Sequence, residues 1–386
     1  MRNRAYIALI LFILIFAYLG HRLISTEISL PATIFGWLLL TIPVALVLWM
    51  PLVYWRTDQP SRLARFTVWL SYLSMALLSF LLMGVILRDL LSAVLHFSPI
   101  SFRYSPQETW ILVSLSFLLM AIGAYQAFFG LTISRVNIPL HGIAPSMARD
   151  LDGLTIAQLS DIHIGPTIQA RFLNKMITLT NALNPDIVAI TGDSIDGEVA
   201  QLREYFSLLG ELKGKIGRFY ITGNHEYYWD PVGWVKEAQN LGLTPLINSH
   251  VVLKRGASLI AVAGVTDLHA GSMVEGMKSD PKKAIASAPN ESYKILLAHQ
   301  PGSALEAAEL GFHLQLSGHT HAGQFIPWVW LIRFFHRFYR GLNRYKNLWI
   351  YVSRGTGHWG PPIRLGASPE ITLLTLRMLP DSSSLR

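Results

Sequence analysis

The sequence contains no cysteine and few charged residues. Without cysteine the chain can form no disulfide bond and offers no thiolate ligand, so a bound metal must be held by oxygen and nitrogen donors. Charged residues make up 15% of the 386 residues and hydrophobic residues 51%, which excludes a disordered chain and is unusual for a soluble protein. Residues 1–150 contain no lysine and only five acidic residues. The unusual composition is therefore concentrated in the first third of the chain.

Long apolar runs without an ionised side chain occupy this first third. A helix needs about 20 residues to cross the hydrocarbon core of a bilayer. We therefore predict a transmembrane domain of four helices at residues 1–133. The first run is the shortest and resembles a signal peptide, but no small-residue cleavage pattern follows it, so we interpret it as a helix. The four runs are Ala5 to Gly20, Ile34 to Trp55, Phe66 to Leu87 and Trp110 to Ile133.

The distribution of arginine predicts the orientation of these helices. Cytoplasmic segments of membrane proteins carry an excess of Lys and Arg. We expect a multi-pass protein of the inner cell membrane, with its N-terminus and its C-terminal domain in the cytoplasm. A miscount of one helix would reverse this prediction. The inner segments then contain Arg2, Arg4, Arg56, Arg62, Arg65 and Arg135, and the outer loops contain Arg22, Arg88 and Arg103.

Residues 134–386 alternate apolar, β-branched runs with helical or loop stretches, which predicts an α/β layered domain large enough for its own core. Continuous apolar strands such as Ile187 to Ile190 are typical of sheets that are covered on both faces. The predicted strands are Arg135 to Leu140, Thr155 to Ile162, Asp186 to Thr191, Arg218 to Thr222, Leu259 to Val265, Tyr293 to Ala298, Leu314 to Ser317, Trp349 to Ser353 and Ile371 to Leu376.

Five of these runs end in a small cluster of Asp, Asn, His and Gly residues. Ligands of layered α/β folds bind beyond the carboxyl ends of the strands, so we expect the five clusters to converge on one active site. The clusters are Ser160-Asp161-Ile162-His163, Gly192-Asp193-Ser194-Ile195-Asp196, Gly223-Asn224-His225-Glu226, Ala298-His299-Gln300 and Gly318-His319-Thr320-His321.

The residue types of these clusters suit two divalent cations a few Å apart, which need a bridging carboxylate together with carboxylate, amide and imidazole ligands. Asp193 follows a glycine that permits close backbone approach, and it is the best candidate for the bridge. Taken singly, each cluster has an ordinary explanation, since a lone histidine is more often a core residue. Five in succession favour a metal site. The candidate ligands are Asp161, His163, Asp193, Asn224, His299, His319 and His321.

The series Asp-x-His, Gly-Asp-x-x-Asp, Gly-Asn-His-Glu, a single His and Gly-His-x-His resembles the calcineurin-like metallophosphoesterase superfamily over about residues 134–380. The resemblance implies an α/β four-layer sandwich of two mixed β-sheets flanked by helices, at residues 134–386. It implies one metal held by Asp161, His163, Asp193 and His321, and a second held by Asp193, Asn224, His299 and His319. It also implies that a hydroxide held between the two metals attacks phosphorus.

Further roles follow from the same resemblance. His225 corresponds to the catalytic histidine that contacts the substrate, and Glu226 is expected to orient it. Asp196 is expected to support the ligands or to form a turn, and Arg354 to contact the substrate phosphate or to form a surface salt bridge. Mn²⁺ is the expected metal, with Fe²⁺ and Zn²⁺ as alternatives, because carboxylate and imidazole ligands suit all three.

One bacterial branch of this superfamily, the diphosphatases of lipid A precursors such as UDP-diacylglucosamine, is similar in two segments. One is Ser317-Gly318-His319-Thr320-His321-Ala322-Gly323-Gln324, in which Ala322 stands where glycine is usual. The other runs from Arg354-Gly355 to Pro369-Glu370-Ile371.

An aromatic and basic segment follows the last cluster, within a stretch from Gly311 to Pro369 that has seven Lys or Arg and no acid. As one helix it would carry arginines on one face and aromatic rings on the other, which is typical of a helix at a membrane interface. The alternative is a packed core helix with a solvated basic stripe. The residues predicted to contact the membrane are Trp328, Trp330, Arg333, Phe334, Arg337, Phe338 and Arg340.

These observations predict a membrane-bound hydrolase that cleaves a phosphodiester or diphosphate bond of a lipid-linked substrate at the bilayer surface. The lipid bilayer and this phosphorylated substrate are the expected partners, and nucleic acid is not expected to bind. Two alternatives are a phosphoesterase acting on soluble nucleotides or nucleic acid, and a non-catalytic membrane scaffold. Retention of every ligand type argues against the scaffold.

Overall fold

The computed structural model describes residues 2–24, 29–54, 61–95 and 106–378. The chain divides into two compact units. Unit 1 contains Met1–Tyr125 and Gly360–Leu365, and unit 2 contains Gln126–Trp359 and Gly366–Arg386. The predicted domain boundary between residues 133 and 134 stays a prediction.

Unit 1 is built from four helices, α1 (Arg2–Leu23), α2 (Leu30–Tyr54), α3 (Arg62–Leu95) and α4 (Pro106–Phe129), the last of which extends into unit 2. Among the described residues, three helices are long and apolar enough to cross a membrane, at Leu30–Met50, Leu63–Leu95 and Gln107–Phe129. The first helix forms, but the apolar stretch found in its described part, Ile10–Leu23, is shorter than a membrane span. Three candidate spans are therefore present, and the fourth stays a prediction.

Arg22 and Arg88 lie on helices α1 and α3, not in the loops expected for them. The carboxylate of Asp89 lies 2.8 Å from Arg22 Nε, and its Oδ2 accepts a hydrogen bond of 2.6 Å from the Tyr18 hydroxyl. Helix α3 is 34 residues long and exceeds the thickness of the hydrocarbon core, so charges near its end can lie beyond the apolar region.

The described part of unit 2 contains nine further helices and twelve strands. The helices are α5 (Pro145–Leu151), α6 (Ala170–Ala182), α7 (Val199–Ser207), α8 (Asn224–Tyr228), α9 (Pro231–Asn240), α10 (Ala270–Met273), α11 (Pro281–Ile285), α12 (Ala304–Glu309) and α13 (Trp328–Phe335). The strands are β1 (Thr132–Leu140), β2 (Thr155–Leu159), β3 (Ile187–Thr191), β4 (Gly217–Ile221), β5 (Thr244–Pro245), β6 (Ser249–Arg255), β7 (Ser258–Gly264), β8 (Tyr293–Leu297), β9 (Leu314–Ser317), β10 (Gly341–Tyr345), β11 (Leu348–Val352) and β12 (Glu370–Met378).

The strands form two six-stranded sheets with the orders β1-β12-β2-β3-β4-β5 and β10-β11-β9-β8-β7-β6. Both sheets are mixed. In the first, β2, β3, β4 and β5 are parallel and β12 is antiparallel to β2. In the second, β7, β8, β9 and β11 are parallel, and β6 and β10 are antiparallel edge strands. The consecutive parallel strands direct their carboxyl ends to one side of each sheet.

The two sheets pack face to face, and helices cover their outer faces. In β3 the side chains alternate, with Ile187 and Ala189 in the core between the sheets and Val188 and Ile190 in the core beneath the helices. Helix α6 covers the outer face of the first sheet, and helices α11 and α12 cover that of the second. The prediction of two mixed sheets flanked by helices is therefore confirmed.

Three strands were absent from the predicted set, namely β5, β6 and β10. β6 has the sequence SHVVLKR and β10 the sequence GLNRY, and both lie at an edge of the second sheet. Edge strands are partly solvated and often charged, so they lack the continuous apolar run of a central strand. Strand β2 is also shorter than predicted, because it ends at Leu159 and not at Ile162.

Candidate metal centre

All five polar clusters follow the carboxyl end of a strand. Three of them leave β2, β3 and β4 of the first sheet, and two leave β8 and β9 of the second. Short loops that leave parallel strands on the same side bring their side chains together. Within the described residues, three groups of His, Asp or Glu side chains have donor atoms close enough to share a metal ion. They are Asp161 with His163 and His321, His163 with Asp196 and His225, and Asp193 with His299 and His319.

The backbone at the ligand candidates is not a continued strand, although the predicted strand Thr155 to Ile162 included Asp161. Asp161 and His163 have φ angles of 54° and 55°, and Asp193 has a φ of 51°. His319 and His321 have φ angles of 69° and 48°. All five residues are in the left-handed region, which non-glycine residues adopt at a cost and mainly where function requires it. The side chains of each pair thus converge because the loop turns at both residues.

Two glycines allow the loops to approach each other. Gly192 has a φ of +87°, and a Cβ atom there would lie 2.6 Å from the backbone nitrogen of Gly223 and 2.8 Å from Nδ1 of His299. A Cβ atom on Gly318 would clash with the side chains of Ser160 and Asp161. Neither position can therefore accept a larger residue without movement of the site. The close approach expected from the glycine before Asp193 is present in the structure.

The first donor group joins Asp161, His163 and His321. Nε2 of His163 lies 3.1 Å from Nε2 of His321, which lies 3.5 Å from Oδ1 of Asp161. Nδ1 of His163 contacts Oδ1 of Asp196 at 2.9 Å, so the proton on Nδ1 leaves an electron pair on Nε2. Asp161 Oδ1 accepts a hydrogen bond of 2.9 Å from the backbone N–H of His319. Burial raises the pKa of Asp161.

The second donor group joins Asp193, His299 and His319. Oδ2 of Asp193 lies 3.0 Å from Nε2 of His299, which lies 3.3 Å from Nδ1 of His319. Nδ1 of His299 is 2.9 Å from the Thr191 carbonyl oxygen and donates to it, which directs Nε2 to the site. Burial lowers the pKa of His319 to about 3, so its ring is neutral and can act as a ligand.

Asp193 lies between the two groups. Its Oδ2 is 3.0 Å from His299 of the second group and 4.0 Å from Nε2 of His163 of the first. Its Oδ1 accepts a hydrogen bond of 2.9 Å from the backbone N–H of His225. Burial would raise the pKa of Asp193, but His299 and His225 outweigh it and hold this pKa well below its ordinary value. The carboxylate is therefore ionised where both groups can reach it.

The donors fit divalent cations. Among the described residues, Oδ2 of Asp161 and Oδ1 of Asn224 are buried oxygens without a hydrogen-bond partner. Buried acceptors without a partner are rare and point to a missing ion or water. Adjacent ligands at about 2.1 Å from a metal are roughly 3.0 to 3.4 Å apart, and the paired imidazole nitrogens at 3.1 and 3.3 Å have this separation. The two groups contain six of the seven predicted ligands, and Asn224 supplies the seventh donor.

His225 and Asp196 form the third group. Nδ1 of His225 lies 2.6 Å from Oδ1 of Asp196, the oxygen that also contacts His163. Burial would lower the pKa of His225, but Asp193 and Asp196 raise it to about 9. Burial would raise the pKa of Asp196, but the two histidines hold it well below its ordinary value. One carboxylate thus fixes the rings of a predicted ligand and of the predicted catalytic histidine.

Glu226 has a different environment from the one expected. Its buried carboxylate accepts hydrogen bonds from the backbone N–H groups of Asp193, Ser194 and Gly223, at 3.1, 2.7 and 2.7 Å. The Tyr220 hydroxyl donates to it at 3.1 Å. Burial, together with Asp193, raises its pKa to about 7. Glu226 therefore joins the loops after β3 and β4, and the side chain that contacts the His225 ring is Asp196.

Arg354 forms an internal ion pair. Its Nε and Nη2 donate to Oε2 of Glu370 at 2.9 and 2.6 Å, and its backbone N–H donates to Oε1 at 2.9 Å. Glu370 is buried and also accepts from the Tyr351 hydroxyl. Of the two expectations for Arg354, the salt bridge is the contact that the structure contains, although its partner is buried and not on the surface.

The aromatic and basic segment is only partly helical. Helix α13 ends at Phe335, and the chain then turns into β10, so residues 328–340 are not one helix as predicted. Phe334 and Phe335 are 71% and 76% exposed. Phe338 is buried against the second sheet, so its predicted membrane contact is wrong. The other predicted contact residues are exposed or half-exposed, namely Trp328, Trp330, Arg333, Arg337 and Arg340.

Two residues near the site were missed by the sequence analysis. The Tyr228 hydroxyl accepts a hydrogen bond of 3.1 Å from Nδ2 of Asn224, which leaves Oδ1 of Asn224 for the site. Tyr228 lies four residues after Asn224 on helix α8, and this spacing was the available signal. The ring of Trp359 lies 6.2 Å from that of His225, between centroids. No motif indicated Trp359, because it is 134 positions from His225 in the sequence.

Comparisons with known proteins agree with this geometry. Residues 154–323 match the model of the family described as calcineurin-like phosphoesterase. A transmembrane protein with metallophosphoesterase domain from Danio rerio is 37% identical over 275 residues, covering 67% of this chain and 62% of that protein. The protein of the same description from Bos taurus is 36% identical over 279 residues, with coverage of 69% and 62%.

A bacterial relative is similar to the same degree. An uncharacterised metallophosphoesterase of Campylobacter jejuni is 37% identical over 237 residues, covering 60% of this chain and 61% of that protein. The chain spans about three fifths of the length of these three curated relatives. The resemblance to the diphosphatases of lipid A precursors stays a prediction. The chain carries a calcineurin-like metallophosphoesterase domain, and three helices among its described residues are long and apolar enough to cross a membrane.

Proposed function

We propose that this protein is a dinuclear metal-dependent hydrolase of the membrane, which cleaves a phosphodiester or diphosphate bond of a lipid-linked substrate. The observation that supports the chemistry is the position of Asp193 between two groups of buried donors. Asp161, His163 and His321 would hold one ion and Asn224, His299 and His319 the other, with Asp193 shared. Mn²⁺ is the proposed metal, and Fe²⁺ or Zn²⁺ would suit the same ligands.

Bound metals lower the pKa of a water molecule and neutralise charge on the phosphoryl oxygens. The protein's own contribution is His225. Asp196 accepts the proton of Nδ1, so the ring presents Nε2 on its other side. The carboxylate of Asp196 raises the pKa of His225 and favours the protonated ring, so Nε2 can carry a proton and donate it to the leaving oxygen. His225 and His319 are half-buried, whereas the other metal-ligand candidates are buried, so substrate can reach His225.

A lipid substrate is supported by the surface beside the site. Helix α13 follows directly after the loop that carries His319 and His321, and none of its residues is buried. Its tryptophans and phenylalanines are flanked by exposed Arg333, Arg337 and Arg340. Exposed aromatic side chains beside basic residues bind well at the interface of an anionic bilayer. We infer that this face contacts the bilayer and guides an amphiphilic substrate to the metals.

The location is part of the proposal. The excess of arginine in the segments at one end of the predicted helices supports an inner membrane protein whose phosphoesterase domain is cytoplasmic. Cysteine residues introduced into the cysteine-free chain at Ser272 and at Ser384 would report this by their reaction with an impermeant reagent in intact cells. Labelling in intact cells would contradict the cytoplasmic assignment.

The chemistry is tested with substitutions in the full chain in detergent with saturating Mn²⁺. We expect Asp193→Asn to abolish hydrolysis of a phosphodiester with an alkoxide leaving group, and His225→Ala to slow it by about 10² to 10⁴, both without loss of folding. Two matched controls should retain it. Asp280→Asn keeps the N-cap of α11, since asparagine caps as well as aspartate, and His269→Ala changes an exposed histidine outside the three groups. Full activity of either site variant would contradict the proposal.

The substrate is tested by comparing lipid-linked diphosphates and diesters with water-soluble diesters, with metal replacement. Phe334→Ala combined with Phe335→Ala should lower kcat/KM for the lipid-linked substrate at least tenfold and leave that for the soluble diester unchanged. Leu305→Ala removes a comparable exposed apolar side chain from α12 and should change neither. Equal activity on both substrates in all variants would favour a soluble substrate. Absence of bound metal, with no activity restored by Mn²⁺, would favour the scaffold.

A further inference from the structure

Two exposed aromatic rings lie beside His225. The ring centroid of Tyr228 is 5.0 Å from that of His225, with the planes at 62°, and Tyr228 is 49% exposed. The centroid of Trp359 is 6.2 Å from that of His225, with the planes at 81°, and Trp359 is 52% exposed. Large aromatic side chains bury 150–250 Å² when they are enclosed. Both rings therefore leave a large apolar area open to solvent at the position of the proposed proton donor.

Trp359 is held in this position by the loop that carries the last two metal-ligand candidates. The side chain of Gln324 makes two hydrogen bonds to the Trp359 backbone, accepting from its N–H and donating to its carbonyl oxygen, both at 2.9 Å. Gln324 is buried and has a φ of 59°, an uncommon conformation for a non-glycine residue. A strained, buried amide thus fixes the backbone of an exposed tryptophan.

Tyr228 is fixed by a different element, helix α8. It ends helix α8, which begins at Asn224, and its hydroxyl accepts from the Asn224 amide at 3.1 Å. The ring and the hydroxyl of Tyr228 therefore have separate roles. The hydroxyl positions a metal-ligand candidate. Among the described ring contacts, the ring of Tyr228 packs only against His225.

We propose that Tyr228 and Trp359 form a subsite for a flat ring on the leaving group of the substrate. The inference rests on the proposed function in one respect, because it takes His225 to be the residue beside the leaving oxygen. Aromatic faces attract other π systems through stacked or edge-to-face contacts, beyond the burial of apolar area alone. A leaving group with a planar ring would gain from both the π contacts and the burial of apolar area. An aliphatic group of the same size would gain only from the burial.

The test compares phosphate monoesters as ligands of the full chain in detergent, loaded with Mn²⁺. Phenyl phosphate and cyclohexyl phosphate have the same ring size and charge but differ in planarity, and methyl phosphate serves as the reference for the phosphate site. Dissociation constants are measured by calorimetry. We expect the parent protein to bind phenyl phosphate about two- to tenfold more tightly than cyclohexyl phosphate.

Paired variants separate the ring from the rest of each side chain. Trp359→Leu and Tyr228→Leu should reduce the preference for phenyl phosphate to less than twofold, whereas Trp359→Phe and Tyr228→Phe, which keep a flat ring, should retain most of it. Tyr228→Phe also removes the acceptor for Asn224, so it should weaken Mn²⁺ binding without loss of the preference. Tyr205→Leu on α7, outside the site, is the matched control and should change nothing.

The outcomes distinguish the two proposals. If methyl phosphate binds but the parent protein does not prefer phenyl over cyclohexyl phosphate, the ring subsite is refuted and the phosphoesterase assignment is not. The same holds if the leucine variants keep the preference. If methyl phosphate does not bind to the metal-loaded protein, both proposals are refuted. Thermal midpoints of the variants show whether a lost preference reflects unfolding. If a leucine variant is unfolded, the corresponding phenylalanine variant, which keeps a flat ring, shows whether the preference depends on the ring.

Discussion

Replacing Asp196 by asparagine is expected to damage catalysis and metal binding together. Oδ1 of Asp196 contacts Nδ1 of His225 at 2.6 Å and Nδ1 of His163 at 2.9 Å. The exchange keeps the size of the side chain but removes its charge, so two ionic hydrogen bonds become neutral ones. His225 loses one of the carboxylates that raise its pKa, and the neutral Oδ1 of asparagine fixes the tautomer of His163 less strongly.

The two effects have different sizes. A positioned general acid raises the rate by about 10² to 10⁴. Loss of the hydrogen-bond partner of a metal-bound histidine lowers metal affinity by about 10- to 100-fold. For a phosphodiester with an alkoxide leaving group, we expect kcat of Asp196→Asn to fall roughly 100-fold at saturating Mn²⁺. For bis-p-nitrophenyl phosphate, whose leaving group hardly needs a proton, the fall should be about tenfold. The Mn²⁺ concentration for half-maximal activity should rise about tenfold or more.

A double-mutant cycle with His225→Ala tests the reasoning. If Asp196 acts on the reaction through His225, adding Asp196→Asn to His225→Ala should cost no further rate at saturating Mn²⁺. Asp280→Asn provides the control for the same chemical exchange. The reasoning is refuted if the single variant stays within threefold of the parent, or if Asp196→Asn costs as much rate in the His225→Ala background as in the parent.

Three further predictions concern stability. Removal of metal by a chelator should lower the thermal midpoint, measured by tryptophan fluorescence, by about 5–10 °C, with recovery on addition of Mn²⁺, because Asp161 and Asp193 lose their counter-charge; an unchanged midpoint would contradict the metal site. Glu370→Gln should reduce the free energy of unfolding by about 1 to 2 kcal/mol, because the hydrogen bonds from Arg354, whose side chain is 32% exposed, lose their ionic partner. Arg354→Met, in contrast, should leave KM for soluble diesters unchanged, and a raised KM would support a substrate contact. Burial lowers the pKa of His313 from 6.5 to about 4, so the unfolded chain binds an additional proton between these pH values. Stability should therefore fall by up to about 3 kcal/mol as the pH decreases from 6.5 to 4, and His313→Asn, which keeps an acceptor for the Lys294 N–H, should remove this contribution.

The sequence predicted the sheet architecture and the position of the site well, because both depend on local patterns. Central strands such as β3 are short apolar runs, and the polar clusters stand where those runs end. Strands β6 and β10 could not be recognised in this way. Each is hydrogen-bonded to a strand on one side only, and its sequence includes charged residues in place of a continuous apolar run. Helix α13 was predicted too long, because periodicity does not show where the chain must turn back to form β10.

Contacts between distant segments were less predictable. The motif around Asp196 does not show that one of its oxygens reaches both His163 and His225, which are 33 and 29 positions away. Glu226 lies next to His225 in the chain, yet helix α8 directs its carboxylate to backbone N–H groups on the other side. The pairing of Arg354 with Glu370 likewise depends on the tertiary fold. The packing of the sheets brings β12, which carries Glu370, beside the loop that carries Arg354.

The left-handed conformations at Asp161, His163, Asp193, His319 and His321 carry a cost in the free energy of folding. At about 1 kcal/mol each, their total cost is a large fraction of the free energy of unfolding of a typical folded protein, which is about 5–15 kcal/mol. Ions that bind only the folded chain offset this cost by an amount that rises with the logarithm of their concentration. Scarcity of the metal would then reduce the abundance of the protein through degradation of unfolded chains, and not only its turnover rate.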